Sequence, residues 1–542
     1  MNNLDGGGQK RIFIAIFIAF VFFIAYDYLY VQPRQDALNA LQHKAQAKTA
    51  VNSAVGQNTK AAPKSDSSIT STILHFTKHS SNSAKNESFK TISKKDILLS
   101  VKTKNDLFEI DNFGRIAQVT LLQKRFIDKD GKQIKLFDKD QLKPLEVRFI
   151  DTKLNAQAFK VHVSASAKYL DASHETKVLL LTQKLKGTTL TKKLTFYPDG
   201  HYDLTASANK PFFITSGYRP DVIVDMYADH GAMVSHNNGS SEVLKDEKLD
   251  KTEGFTDTQF IAGFDRYYTT LLYNFKSPMN VTAVPSSNKS PELFIKVNKS
   301  ISLSGYIGPK DHKALKALNP KLTDVIEYGW FTFIARPMFS FLQAIHSVVG
   351  NWGWTIVLLT LIVKLILFPL SYKGMISMQR LKTLAPKIKE LQAKYKGDKQ
   401  KQSTHMMELY KKHGANPMGG CLPMVLQIPV FFAIYRVLLN SIELKGAPWI
   451  FWIHDLALMD PYYILPILMG ITMYLQQRIT PNTMQDPTQR KIFQFLPVIF
   501  TFFFLWFPAG LTLYWFINNL FTAAQQFYIN KIFEKQRAKA EH

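Results

Sequence analysis

One lysine limits what this chain can fold into: Lys364 lies within the apolar run at residues 354–370, WTIVLLTLIVKLILFPL. Read as a membrane-spanning helix, the run puts Lys364 ten residues beyond Trp354, roughly 15 Å along the axis and inside a hydrocarbon layer about 30 Å thick. An ammonium at that depth costs roughly 2.5–3.5 kcal/mol on insertion scales, and such groups usually face a bundle interior or a wet cavity. Two readings follow. Lys364 is only six residues from Leu370 and can snorkel to the inner headgroups, or it belongs to a functional polar cavity built with other helices.

The chain is long enough for two or three domains, and its 46% hydrophobic content hides a split. Residues 35–325 are polar and mixed, whereas 350–530 hold most of the long apolar runs and six of the seven tryptophans. A net charge of +25 and a pI near 9.6 suit nucleic acid or an anionic surface. Beside membrane runs the anionic lipid surface comes first, and no direct DNA partner is implied. The single cysteine, Cys421, excludes an internal disulfide and provides no metal cluster.

The spacing predicts a polytopic α-helical membrane protein with a large β-rich domain. Residues 1–11 form a basic cytoplasmic start, 12–30 an uncleaved anchor ending in interfacial tyrosines, and 31–95 a flexible periplasmic tether. Alternating segments such as KVLLLTQKL, TLTKKLTFY and ELFIKVN, separated by turn signals, predict a periplasmic β-sandwich over 96–324. Residues 325–349 read as an interfacial amphipathic helix, because Glu327, Arg336 and Pro337 interrupt its aromatic face. Further spans are expected at 350–370, 421–440, 462–479, 492–508 and 509–529. They are joined by a basic cytoplasmic hairpin (371–420), a periplasmic loop (441–461) and a cytoplasmic loop (480–491), and they end in a basic tail (530–542). Charge supports this orientation: 371–420 carries eleven Lys/Arg against three acidic residues, and 441–461 has only Lys445 against Glu443, Asp455 and Asp460.

Within these spans Thr360 and Lys364 share one helical face. Gln427 and Asn518 are further candidates for a common polar surface, while Thr522, Gln476, Gln477, Gln525 and Gln526 read as interhelical bonders or headgroup-level residues. Pro423, Pro429, Pro466, Pro497 and Pro508 point to bent helices whose freed carbonyls need partners. In the hairpin, Met375, Met378, Leu381, Met406 and Met407 form a soft apolar stripe, suited either to varied hydrophobic segments or to holding its two helices together. His454 beside Asp455 reads as a capping or surface pair. The chain lacks nucleotide-binding, zinc-protease, serine-nucleophile and CxxC motifs, so an enzyme with a cofactor is not expected.

The stretches GNWGWTIVLLTLIVKLILFPL, NPMGGCLPMVLQIPVFFAIYRVL, DPYYILPILMG and FLWFPAGLTLYW closely resemble the YidC/Oxa1/Alb3 membrane protein insertases, and the long β-rich insertion resembles their Gram-negative bacterial branch. The resemblance implies a periplasmic β-supersandwich and a five-helix core enclosing a hydrophilic groove open to the cytoplasm and to lipid. It implies that Lys364 stands where the family usually has arginine, keeping the charge without the bidentate fork. It also places Thr360, Tyr514 and Trp515 in the groove, the last where tyrosine is common. By the same resemblance the hairpin receives nascent inner-membrane proteins, and the tail, with Lys531, Lys535, Arg537 and Lys539, helps contact the ribosome. The protein is then expected to insert, fold and help assemble clients as insertase and chaperone, alone or beside the Sec translocon and its accessory subunits. A transporter using Lys364 and Thr360 to bind an anion, and an envelope anchor acting through its β-domain, are the competing functions.

Overall fold

The computed structural model describes residues 96–128, 130–224, 228–413, 422–480 and 487–541. The expected cytoplasmic start, anchor and tether lie outside these residues, as do residues 481–486 of the loop expected at 480–491.

The β-rich part is built from period-two alternation. Lys177–Leu185 and Thr188–Phe196 pair antiparallel across a tight turn at Gly187, whose φ of 86° is the left-handed region that glycine enters freely. Their buried residues alternate with exposed ones. They belong to a 13-stranded sheet, and a 4-stranded sheet holds Ile97–Lys102, Asp106–Asp111, Ile116–Leu121 and Tyr169–Asp171. Strands between 210 and 285 are less visible in the sequence. Tyr268–Tyr273 is buried on both faces and so shows no alternation.

Ten described α-helices are numbered in chain order: α1 Thr152–Ala158, α2 His312–Leu318, α3 Thr332–Val349, α4 Trp352–Ile366, α5 Phe368–Lys394, α6 Lys399–Lys412, α7 Leu422–Asn440, α8 Ile464–Ile479, α9 Pro487–Phe504 and α10 Ala509–Glu541. Local chemistry sets several ends. Gly350, at φ 70°, closes α3, and the Asn351 side chain then accepts from Trp354 N to start α4. The run expected as one span at 350–370 is divided at Leu367, because Pro369 has no N–H to continue the ladder and instead stands in the first turn of α5. Of the prolines read as kinks, Pro466 sits in the first turn of α8 and Pro508 just before α10, where a missing donor costs little; Pro429 and Pro497 are interior.

Among the described residues no single helix is long and apolar enough to cross a membrane, although α4 and α5 reach that length and composition as a broken pair. The chain divides into two compact units. One includes the hairpin of residues 376–413, in which Leu381, Leu384 and Ile388 pack with Met406, Leu409 and Tyr410.

The other unit joins the β-rich domain to the remaining helices through two cores. The first fills the β-domain and takes in Ile442, from the connection after α7. The second runs from Phe260 and Phe264 on strand Glu253–Phe264, through Leu322, Val325 and Phe339, to Ile356, Leu438, Met469 and Leu513 in the helices. A sheet face and a helical bundle therefore share one continuous apolar interior.

Candidate functional site: a polar chain across three helices

The site is assembled from α4, α7 and α10. Lys364 lies in the last turn of α4 and is only 8% exposed. Its Nζ donates to Thr522 Oγ1 on α10 at 2.8 Å. The Thr522 hydroxyl in turn donates to the carbonyl of Asn518, one turn earlier, at 2.7 Å. Asn518 Oδ1 accepts from Gln427 Nε2 of α7 at 2.9 Å. One continuous hydrogen-bonded chain thus links the three helices. Among the described residues Lys364 has no carboxylate partner, so a hydroxyl dipole is all that faces its charge there.

The structure therefore brings together Lys364, Gln427 and Asn518. Thr522, set aside in the sequence as an ordinary interhelical bonder, is the residue that touches the lysine. The available signal was its spacing, four residues after Asn518 and so on the same face of α10. Thr360 is buried one turn before Lys364, but its hydroxyl donates back to Ile356 O at 2.7 Å, so it contributes a methyl and little polarity to the chain. Tyr514 is buried with its ring centroid 6.3 Å from that of Phe431. Trp515 is packed by Phe431 of α7 at 4.6 Å and by Phe504 and Phe500 of α9 at 5.3 and 5.9 Å, bridging two helices that flank α10.

Around this interior the helices turn apolar side chains outwards. Leu365 and Ile366 are 60% and 70% exposed, and Ile467, Ile471 and Leu475 project along α8 as Val498 and Phe502 do along α9. Outer faces this apolar are unusual for a globular protein in water.

The other expected contact residues are distributed differently. In the hairpin Leu381 is buried and Met406 packs against that core, while Met407 is exposed; Met375 and Met378 are half-buried. Two of the five stripe residues, Leu381 and Met406, thus help to hold the two helices together. Lys531, Lys535 and Arg537 are exposed on α10, and of Lys539 only the helical backbone is described. Asp455 accepts from Ala457 N at 2.8 Å, a capping role, with His454 exposed beside it.

Fold and site together define a helical bundle whose apolar core is crossed by one polar chain and whose outer faces are also apolar, fused to a β-rich domain. Residues 344–537 match the family model of the 60Kd inner membrane protein, and residues 225–341 match that of the YidC periplasmic domain. A Campylobacter jejuni protein named membrane protein insertase YidC is 49% identical over 99% of each chain, and a Wolinella succinogenes protein of the same name is 48% identical over 98% of this chain and 97% of its own. A solved active YidC insertase with its first transmembrane domain resolved covers 81% of this chain and 94% of its own at 19% identity, with a TM-score of 0.37. The chain belongs to the YidC/Oxa1/Alb3 family of membrane protein insertases.

Proposed function

We propose that this chain inserts hydrophobic segments of nascent inner-membrane proteins into the bacterial inner membrane, without covalent chemistry or nucleotide hydrolysis. The observation that carries the reading is the chain Lys364–Thr522–Asn518–Gln427, a buried charge and three polar side chains inside helices whose outer faces are apolar. In a bilayer the apolar faces meet lipid, and the polar chain lines a groove that shortens the hydrocarbon path of a short hydrophilic outer tail. Lys364 then offers a charge to acidic residues in that tail. Burial of the following apolar segment supplies the driving force at roughly 25 cal/mol per Å², so the groove's task is to lower a barrier. The membrane potential adds roughly 2.3 kcal/mol per acidic charge per 100 mV.

The wider reading follows the family. A five-helix core crosses the membrane with both termini cytoplasmic and the β-domain periplasmic. The hairpin, through Met375, Met378 and Met407, meets the client first, and the basic tail contacts the ribosome. The protein also acts as a chaperone, alone or with the Sec translocon. Insertion of an acidic-tailed client into proteoliposomes tests the central role. Lys364→Ala and Lys364→Glu are expected to lower insertion at least tenfold and Lys364→Arg to retain most of it. Normal insertion by all three variants, at unchanged protein levels, would sink the reading.

A further inference from the structure

The outer end of α7 is held by the β-domain, and the holding residue has no place in the groove itself. Arg266 is buried, and its Nε donates to the carbonyl of Leu439, in the last turn of α7, at 2.9 Å. A guanidinium there both satisfies a carbonyl that has no partner within the helix and meets the negative end of the helix dipole. Arg266 projects from a turn that is itself fixed. The side chain of Asp265, fully buried, accepts from Val222 N, Ile223 N, Tyr267 N and Tyr268 N at 2.7–3.1 Å, and Arg266 N donates to Ile223 O. Neighbouring contacts close the same end. Asn440 Nδ2 donates to Glu327 O at 2.6 Å, and Ile442 is inserted into the β-domain core.

We propose that Arg266 is a positioning residue for the groove: by gripping the outer end of α7 it sets the axial height and rotation at which Gln427 meets Asn518. This rests on the insertase reading. Leu439 and Gln427 lie on one helix, roughly 18 Å apart along its axis. Pro429 bends such a helix without lengthening it, so axial position is transmitted past it. At the inner end Gln427 Nε2 donates to Asn518 Oδ1 at 2.9 Å, and a slip of about 1 Å would take the pair beyond hydrogen-bond range. The β-domain thereby acts on the groove through the end of α7, with Arg266 as the polar grip among the contacts that close it.

The experiment uses the full chain in proteoliposomes and two readouts. The first is insertion of an acidic-tailed client. The second is the rate of disulfide formation between Gln427→Cys and Asn518→Cys in a Cys421→Ser background, which reports helix register whether or not the protein inserts anything. Arg266→Met is expected to slow that disulfide and lower insertion, each about fivefold, and Arg266→Lys to restore most of both. The double variant Arg266→Met/Gln427→Ala is expected to insert no worse than Gln427→Ala alone, because both act through one contact. Multiplied losses, or an unchanged disulfide rate in Arg266→Met, would overturn the positioning role. If Arg266→Met does not accumulate, Arg266→Gln, which keeps one donor, serves the same comparison. Normal insertion by Lys364→Ala with a slowed disulfide in Arg266→Met would instead refute the insertase reading and leave the positioning intact.

Discussion

The β-rich domain and the helical bundle both bury charge, and they do so in opposite ways. In the β-domain Arg115 bonds Asp111 at 2.7 Å and Glu146 at 2.8 Å, and Glu146 also takes Arg148 at 2.9 Å. Lys192 donates to the carbonyls of Gly114 and Leu145 at 2.8 and 2.7 Å, and burial pushes its pKa down to about 8. Every one of these groups is answered from within the fold. In the bundle Lys364 meets only a threonine hydroxyl among the described residues. The β-domain charges have two or more partners each and hold the structure together, whereas Lys364, answered by a single hydroxyl, keeps donors free for an anionic partner.

The largest effect is expected where that comparison is sharpest. Arg115→Met removes the ion-pair partner of buried Asp111 and leaves Glu146 with Arg148 alone, and should cost about 3–5 kcal/mol, measured as a lowered thermal transition of the β-rich domain in the full chain. A loss under about 1 kcal/mol would mean that the pairing is incidental and the contrast with Lys364 empty.

At the seam between the regions the effect should depend on pH. Burial, and then the nearby Asp311 carboxylate, push Glu443 from its ordinary 4.5 up to about 7, while its side chain accepts from His312 N at 3.2 Å. A raised carboxyl pKa means that the folded state holds the proton more tightly. The resulting stability is complete below about pH 4.5, declines as pH rises through about 7, and amounts to at most about 3 kcal/mol. Denaturant titrations across that window should show the slope in the parent chain and lose it in Glu443→Gln. An unaltered slope would place the titration elsewhere.

The smallest effect concerns the start of α4. The Asn351 side chain caps Trp354 N and donates to the carbonyls of Pro448 and Trp449, so Asn351→Ala should lower stability by about 1–2 kcal/mol while leaving the depth of Lys364 unchanged. Accessibility of Lys364→Cys to a water-soluble thiol reagent, with Cys421→Ser present, would reveal any shift.

These contrasts were legible in the sequence to unequal degrees. Lys364, Gln427 and Asn518 stand out because an apolar run makes any polar residue conspicuous. Thr522 does not, because threonine is common in such helices and only its i+4 relation to Asn518 links it to the others. The alternating strands of the β-domain were readable, whereas Phe212–Thr215 and Tyr268–Tyr273, buried on both sides, carry no period. Arg266 was invisible: its meaning lies in a carbonyl at Leu439, far along the chain, and a backbone oxygen leaves no trace in residue identity.

The continuous interior running from Phe260 and Phe264 to Leu513 also imposes an order on birth. The strand leaves the ribosome first, and its bundle partner follows roughly 250 residues later, about 10–50 s at ordinary synthesis rates of 5–20 residues per second. Through that interval the interior begun by Phe260 and Phe264 stays open at its bundle end, and for most of it the β-core lacks Ile442. The domain made first therefore waits for the bundle, and its interior is completed from the far end of the chain.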